Sequence, residues 1–164
     1  MSETTGTQKK KLSIIAFSGD FDKAVAAFTL ATGAAAVNYE VNVFFTFFGF
    51  DIIKKKKGRA PIGKGLGRVF NFLLGGFNNL PLSRLNLGGL SPRIMTRMMK
   101  KKNVATLQEM LDASVELGVN LYACEMSMNI FGTTLANYHD AVKEVLGVPK
   151  FLQIAEGGQI IFIS

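Results

Sequence analysis

Two spacings of apolar side chains alternate along the chain, and their alternation predicts an α/β fold. Continuous apolar runs are typical of strands buried on both faces, whereas apolar residues that recur every three to four positions are typical of helices. The first pattern predicts strands at 12–17, 39–48, 119–123, 141–145 and 159–163. The second predicts helices at 21–37, from 91 to the lysine run 100–102, from 103 or 106 to 117, at 125–131 and at 149–155. We therefore expect one mainly parallel sheet with helices on both faces.

Two of these helices have clear inward faces. The first is expected to pack on the sheet through Ala24, Phe28 and Ala31. The helix before the third strand begins at Asn103 or Thr106 and stops at Gly118. Its expected buried face consists of Leu107, Met110, Leu111 and Val115.

The basic residues are concentrated in one segment. Between Ile52 and Gln108 there are thirteen Lys or Arg and no Asp or Glu, whereas the other residues carry six basic and twelve acidic side chains. The formal net charge of +7 is therefore a property of this segment. We interpret 52–103 as a basic, Phe- and Gly-rich insertion after the second strand, because its pattern is too irregular for a core of its own. The chain is then a single domain over 1–164, with a flexible tail at 1–10.

Several partners fit this basic insertion. It can bind phosphates electrostatically, and residues 54–102 fit an anionic membrane surface or an acidic protein at least as well. Few aromatic residues are interleaved with its basic residues, which argues against stacking on single-stranded nucleic acid. A solvated basic loop is the remaining interpretation.

The composition excludes several classes of site. One cysteine rules out an internal disulfide, and one cysteine with one histidine argues against a zinc site or a Ser-His-Asp triad within one chain. We expect no metal and no cofactor. The apolar run 12–17 is too short for a secretory signal, and the stretch 24–50 changes from a helical to a strand period, which disfavours a membrane span. We expect a cytoplasmic protein, located at the membrane surface if the insertion binds lipid.

The strongest candidate for chemistry is Cys124, at the predicted junction between a strand and a helix. The first backbone N–H groups of a helix and its dipole favour a thiolate. The alternative is that Cys124 packs as a small hydrophobic residue. Glu125 complements the helix dipole but opposes thiolate formation, and Ser127 either donates to a sulfur anion or caps the helix. Met126 is expected at a pocket rim or a subunit contact.

A second candidate follows the first strand. Ser18, Gly19 and Asp20 turn the chain into a helix whose N–H groups can hold an anion. The glycine spacing of nucleotide-binding loops is missing, so a turn with Ser18 or Asp20 as helix cap fits better. Because ligands bind beyond the carboxyl ends of parallel strands, we expect these residues and Cys124 at that edge. His139 is expected at the surface, and becomes a candidate base only if it folds back towards Cys124.

Three segments and a glycine together resemble the DsrE/DsrF-like family, in its branch of sulfurtransferases also labelled peroxiredoxins. They are Ile14–Ala24, Pro81–Gly89 and Tyr122–Met128 followed by Gly132. The resemblance spans about residues 11–163. It implies a flavodoxin-like three-layer sandwich of about five parallel strands, assembled into homo- or hetero-oligomers. It also implies sulfur trafficking, with a cysteine that carries sulfane sulfur as a persulfide.

Only Cys124 matches the cysteine of that family. Without a second cysteine, a peroxidase cycle with an internal resolving thiol is not supported. The leading hypothesis is therefore a sulfur-relay protein that passes sulfur between donor and acceptor proteins. The alternative is a non-catalytic binding or scaffold module that docks through the basic insertion. A nucleotide-binding domain rests on fold analogy alone.

Overall fold

The computed structural model describes residues 9–55, 80–83 and 90–164. Most of the predicted tail and of the basic insertion therefore lies outside the described residues. Five strands form the sheet, namely β1 (Lys11–Ala16), β2 (Glu40–Phe45), β3 (Asn120–Cys124), β4 (Val142–Leu146) and β5 (Gln159–Ile163). The α-helices are α1 (Phe21–Ala36), α2 (Leu90–Lys101), α3 (Leu107–Glu116), α4 (Glu125–Phe131) and α5 (Val148–Ala155).

All neighbouring strands of this sheet run parallel, in the order β4-β3-β2-β1-β5. The predicted α/β fold with a five-stranded parallel sheet is confirmed. Because parallel strands need crossover connections, helices separate most of the strands in sequence. Their carboxyl ends meet at one edge, which we call the carboxyl edge.

Helices cover both faces of the sheet. Phe44 and Phe45 are neighbours on β2, so their side chains point to opposite faces. The Phe45 ring contacts Phe28 of α1, with ring centroids 6.3 Å apart, and the Phe44 ring stacks on Phe151 of α5 at 4.5 Å. Helix α3 packs beside α1. This arrangement gives three layers with the core between them.

The inward face of α1 is confirmed, because Ala24, Phe28 and Ala31 are fully buried. For α3, Thr106 is the N-cap and forms a capping box with Glu109. The expected burial of Val115 is wrong. The neighbouring Ser114 is buried instead, since its hydroxyl donates to the Met110 carbonyl oxygen at 2.8 Å and needs no water.

The predicted second strand is too long. It ends at Phe45, and Phe47–Ile52 forms a 3-10 helix that begins with a positive φ of 47° at Phe47. The Gly49 N–H turns back to donate to the Phe17 carbonyl oxygen at 2.8 Å. The Phe-rich run 44–50 has no apolar period that marks this bend, so the sequence pattern extended the strand through it.

Within the described ranges, no helix combines the length and the apolar composition needed to cross a bilayer.

Candidate functional site at the carboxyl edge

Cys124 is the last residue of β3 and the N-cap of α4, as the sequence predicts. Its strand position is paired with Leu146 of β4. The side chain is only 1% exposed, and it makes no cap hydrogen bond. The thiol therefore lies at the carboxyl edge but beneath the surface of the single chain.

Ser127 connects α4 to the end of β2. Its fully buried hydroxyl accepts a hydrogen bond from the Phe47 N–H at 3.0 Å and shares one with the Thr46 hydroxyl at 2.9 Å. The predicted role as a cap of α4 is wrong, because these partners belong to the neighbouring loop. Thr46 was not predicted as a site residue. Its position directly after a strand is the one signal for it in the sequence.

Glu125 and Met126 lie at the protein surface on the first turn of α4. Met126 is 50% exposed, and Ile130 on the same helix is also exposed. The Glu125 side chain extends towards Gly147, where its Oε2 lies 3.6 Å from the position that a Cβ would occupy. Met126 therefore has the exposure expected at a pocket rim or subunit contact, and Glu125 lies over the end of β4.

Ser18, Gly19 and Asp20 follow β1 and lie away from Cys124, because β2 separates β1 from β3. The Ser18 hydroxyl donates to Asp20 Oδ2 at 2.6 Å. Asp20 is the N-cap of α1, but its side chain makes no cap hydrogen bond, so the predicted cap by either side chain is wrong. A Cβ on Gly19 would lie 2.4 Å from the Phe48 carbonyl oxygen, so this loop packs against the 3-10 helix.

The start of α1 is covered by the segment 80–83. The Phe21 N–H donates to the Pro81 carbonyl oxygen at 2.7 Å. The Ser83 N–H and hydroxyl donate to Asp22 at 3.1 and 2.7 Å. Burial raises the pKa of Asp22 and is the largest single contribution. The opposing contributions, led by the hydrogen bonds from Ser83, together outweigh it, so the pKa of Asp22 is lowered. One N–H group expected to hold an anion is therefore already paired within the chain.

His139 does not reach Cys124. Its backbone N–H donates to the Ile53 carbonyl oxygen at 2.7 Å, and its Nδ1 accepts from the Ala141 N–H at 3.2 Å. The imidazole lines a cavity of about 280 Å³ beside Lys55 and Asp140. Its contacts offer no support for a role as base to the thiol.

A buried ion pair is the largest feature that sequence reasoning missed. Lys54 Nζ donates to Asp51 Oδ1, and both residues are almost fully buried. Burial raises the pKa of Asp51, and the ammonium group opposes that rise. Burial also raises the pKa of the nearby Tyr138, whose hydroxyl shares a hydrogen bond with Thr133 at 2.6 Å. Lys54 was assigned to the exposed insertion because it starts a run of four lysines, yet it belongs to the core.

Aromatic side chains follow one another along the carboxyl edge. The Phe17 ring contacts Phe162 at a centroid distance of 5.6 Å and Phe47 at 5.0 Å. Phe48 continues the series to Phe131 of α4, at 6.2 Å. Phe48 and Phe162 are exposed, so this edge presents apolar rings to solvent.

Comparison with known proteins identifies the family. A model described as the DsrE/DsrF/DrsH-like family matches residues 8–163. The chain therefore belongs to the DsrE/DsrF/DrsH-like family. The expected family is confirmed.

Two relatives of this DsrE-like protein match it over most of their length. The uncharacterized protein YrkE of Bacillus subtilis is 38% identical over 155 residues, which cover 93% of this chain and 96% of the relative. The sulfur carrier protein DsrE2 of Allochromatium vinosum is 35% identical over 150 residues, which cover 90% of this chain and 94% of the relative.

Solved structures support the same fold at low identity. MTH1491 from Methanobacterium thermoautotrophicum, a protein of unknown function, superposes with a TM-score of 0.51 and 12% identity. The ychN protein from E. coli has a TM-score of 0.50 and 12% identity. Each match covers 94% of the DsrE-like chain and 99% of the solved chain.

The carboxyl edge thus supplies one thiol, a buried pair of hydroxyl groups that links α4 to the loop after β2, and exposed apolar side chains. Within the described ranges, Cys124 makes no hydrogen bond to a basic side chain. Such a site is suited to exchange of sulfur on a thiol, for which the incoming partner provides the second sulfur atom.

Proposed function

We propose that this DsrE-like protein carries sulfane sulfur as a persulfide on Cys124 between donor and acceptor proteins. The observation that carries the proposal is that the one cysteine lies at the carboxyl end of β3, at the start of a helix. Ligand sites of open α/β sheets lie beyond this edge. The 35% identical relative named as a sulfur carrier supports the same role.

The transfer needs no external oxidant. The Cys124 thiolate attacks the outer sulfur of a donor persulfide, a new S–S bond forms, and the donor leaves as a thiolate with the electron pair of the broken bond. An acceptor thiolate then attacks the outer sulfur on Cys124 and releases the Cys124 thiolate. In both steps the dipole of α4, whose N-cap is Cys124, favours the anion.

Burial of the sulfur requires a movement during transfer. Because Cys124 is 1% exposed, the side chains that cover it must shift before a partner thiol can reach Sγ. The partner's own contact with the exposed side chains of α4 is the proposed trigger. Burial also protects a persulfide from solvent between the two transfers.

Incubation of the native protein with polysulfide is expected to add about 32 Da, the mass of one sulfur atom, as seen by intact mass spectrometry. The adduct should disappear on reduction and be absent in Cys124→Ser and Cys124→Ala. Thermal melting of both variants is the check that they fold. No other cysteine is present, so the adduct can be assigned without fragmentation.

The unfolded chain provides the decisive comparison for this experiment. If the chain gains sulfur in guanidinium but the native protein gains none, even with a persulfide-loaded donor protein, Cys124 is a packing residue. The relay proposal then fails.

We also propose that two or more copies associate, and that β5 forms part of the contact. The two edge strands differ, because β4 exposes Lys143 and Glu144 whereas β5 exposes Ile160 and Phe162, at 47% and 58%. Charged residues protect an edge strand from pairing, and apolar residues do not.

In sedimentation equilibrium, Phe162→Asp is expected to shift the protein towards the monomer. The control is Val37→Asp at an exposed site remote from β5 in sequence, which should leave the assembly unchanged. A native protein that is monomeric at all concentrations would contradict the proposal.

The cytoplasmic location and the docking of 54–102 on an acidic protein or an anionic membrane stay predictions. Lys54 takes no part in such docking while it remains buried.

A further inference from the structure

A second cavity is lined by residues of α2, of the beginnings of α1 and α3, and by Leu80, and Cys124 is not part of its lining. Its volume is about 370 Å³, within the usual range for small-molecule sites. Its apolar floor consists of Phe21, Leu80 and Leu107, all nearly buried. Helix α2 supplies Arg93, Arg97 and Lys100 to the lining.

The three basic residues share one side of α2. They are four and three positions apart, which places them within an arc of about 60° on the helix. The exposed apolar residues Ile94 and Met98 lie on a different side of α2. Arg93, Arg97 and Lys100 are themselves exposed to solvent, and all three line the same cavity.

These cations have no acidic partner in the part of the chain that the structure describes. The two ion pairs found there are Lys54 with Asp51 and Lys55 with Asp140. The acid that acts on the cluster is Glu109, whose pKa is lowered first by hydrogen bonds from Thr106 and to a smaller extent by Lys100. The Glu109 carboxylate is held in the capping box of α3, where it accepts hydrogen bonds from the Thr106 N–H and hydroxyl, and it is in neither of those two ion pairs.

The hydroxyl groups around the cavity already use their protons, and Gln108 uses one of its two amide protons. The Thr96 hydroxyl donates to the Pro92 carbonyl oxygen at 2.8 Å, and the Thr106 hydroxyl donates to Glu109 at 2.9 Å. The Gln108 amide nitrogen donates to Asp112 at 2.7 Å. The side-chain donors left for a ligand are therefore the second amide proton of Gln108, the two guanidinium groups and one ammonium group, of which the three cations match the negative charge of phosphate oxygens.

We propose that this cavity binds a free, multiply charged phosphate-bearing small molecule through Arg93, Arg97 and Lys100. Its anionic group lies against α2, and the floor formed by Phe21, Leu80 and Leu107 accepts an apolar or aromatic portion. This site does not depend on the sulfur-relay role, since it contains no part of the Cys124 environment described above.

Isothermal titration calorimetry of the full chain with inorganic pyrophosphate tests this site. We expect saturable binding to the native protein and an affinity about tenfold lower for Arg97→Gln, because one charge-assisted bidentate contact is lost. Arg93→Gln serves as a second variant. Lys101→Gln is the matched control, because it makes the same charge change on the same helix, at an exposed residue outside the cavity lining. It should bind pyrophosphate like the native protein, and so should Cys124→Ser.

Two results overturn the assignment outright. One is the absence of saturable binding to the native chain. The other is a loss of pyrophosphate affinity in Lys101→Gln equal to that in Arg97→Gln, which shows attraction by the net positive charge alone. Binding to phosphatidylcholine vesicles that contain a phosphatidylinositol phosphate, with no response to pyrophosphate, also overturns it and assigns the cluster to a lipid headgroup.

Discussion

Replacement of Lys54 by methionine is expected to lower the free energy of unfolding by about 3–5 kcal/mol, because it leaves the buried carboxylate of Asp51 without its cation. Urea or guanidinium unfolding measures the loss. Lys55→Met is the control. Lys55 pairs with an exposed Asp140 at 2.6 Å, and water screens that pair, so its loss should be barely measurable.

The loss of unfolding free energy in Lys54→Met should depend on pH in a defined direction. Burial already raises the pKa of Asp51, and removal of the ammonium group raises it further. The folded variant then binds a proton at a pH where the unfolded chain does not. The stability of Lys54→Met therefore falls furthest below that of the native protein above the folded pKa of Asp51. The difference shrinks as the pH falls through that pKa.

A double variant tests the same explanation by rescue. Asp51→Leu combined with Lys54→Met removes both charges and should recover most of the loss, since apolar residues of similar size often replace buried ion pairs at little cost. If Lys54→Met is as stable as Lys55→Met, the pair does not hold the 3-10 helix in place and this account of the core is wrong.

Gly49→Ala is expected to be the second severe change, with a loss of about 3 kcal/mol, at the upper end for overpacking. A Cβ at Gly49 would lie 2.0 Å from the Ala16 carbonyl oxygen and 2.8 Å from its carbon. These are backbone atoms that cannot rotate away. The clash of the added Cβ with Ala16 is relieved only if the loop after β2 separates from β1. That movement breaks the hydrogen bond from the Gly49 N–H to the Phe17 carbonyl oxygen.

Gly33→Ala is the matched control for this substitution. Gly33 is exposed within α1, and nothing lies within 4 Å of an added Cβ. Alanine there should stabilise the protein by about 0.5–1 kcal/mol, because the unfolded chain loses conformational freedom and the helix gains a better helix former. Equal stability of Gly49→Ala and the native protein would contradict the tight contact between β1 and the loop.

Gly49→Ala should also change the accessibility of the Cys124 thiol. The displaced loop holds Thr46 and Phe47, both of which bond to the buried Ser127 hydroxyl on α4. Loosening of these bonds should release the first turns of α4 and raise the rate at which a disulfide reagent modifies Cys124. The same assay on Gly33→Ala should give the native rate.

Most secondary structure could be predicted from the sequence, since its signals are local. The apolar period placed Ala24, Phe28 and Ala31 on the inner face of α1, and four of five predicted strands agree with the structure to within one residue. The end of α4 was also predictable. Gly132 has a positive φ of 60°, a conformation that glycine adopts without steric cost.

The contacts that define the candidate site were beyond such local signals. Thr46 and Ser127 are 81 positions apart and meet only because β2 and β3 are neighbours in the sheet. Lys54 looked like part of a solvated lysine run, and its burial depends on Asp51 and on a bridge to Tyr138. The spacing of apolar residues indicates which face of a single helix or strand is buried. The Thr46–Ser127 pair depends instead on strand order, and the bridge from Lys54 to Tyr138 joins segments far apart in the chain.

By itself, then, the sequence determined an α/β domain with a single thiol at a strand-to-helix junction, because both follow from residues close together in the chain. The tertiary structure alone decided that this thiol is covered, that a lysine enters the core, and that three cations of α2 converge on one cavity. Each of these depends on distances between segments remote in sequence, and those distances are set by packing of the whole sheet and its helices.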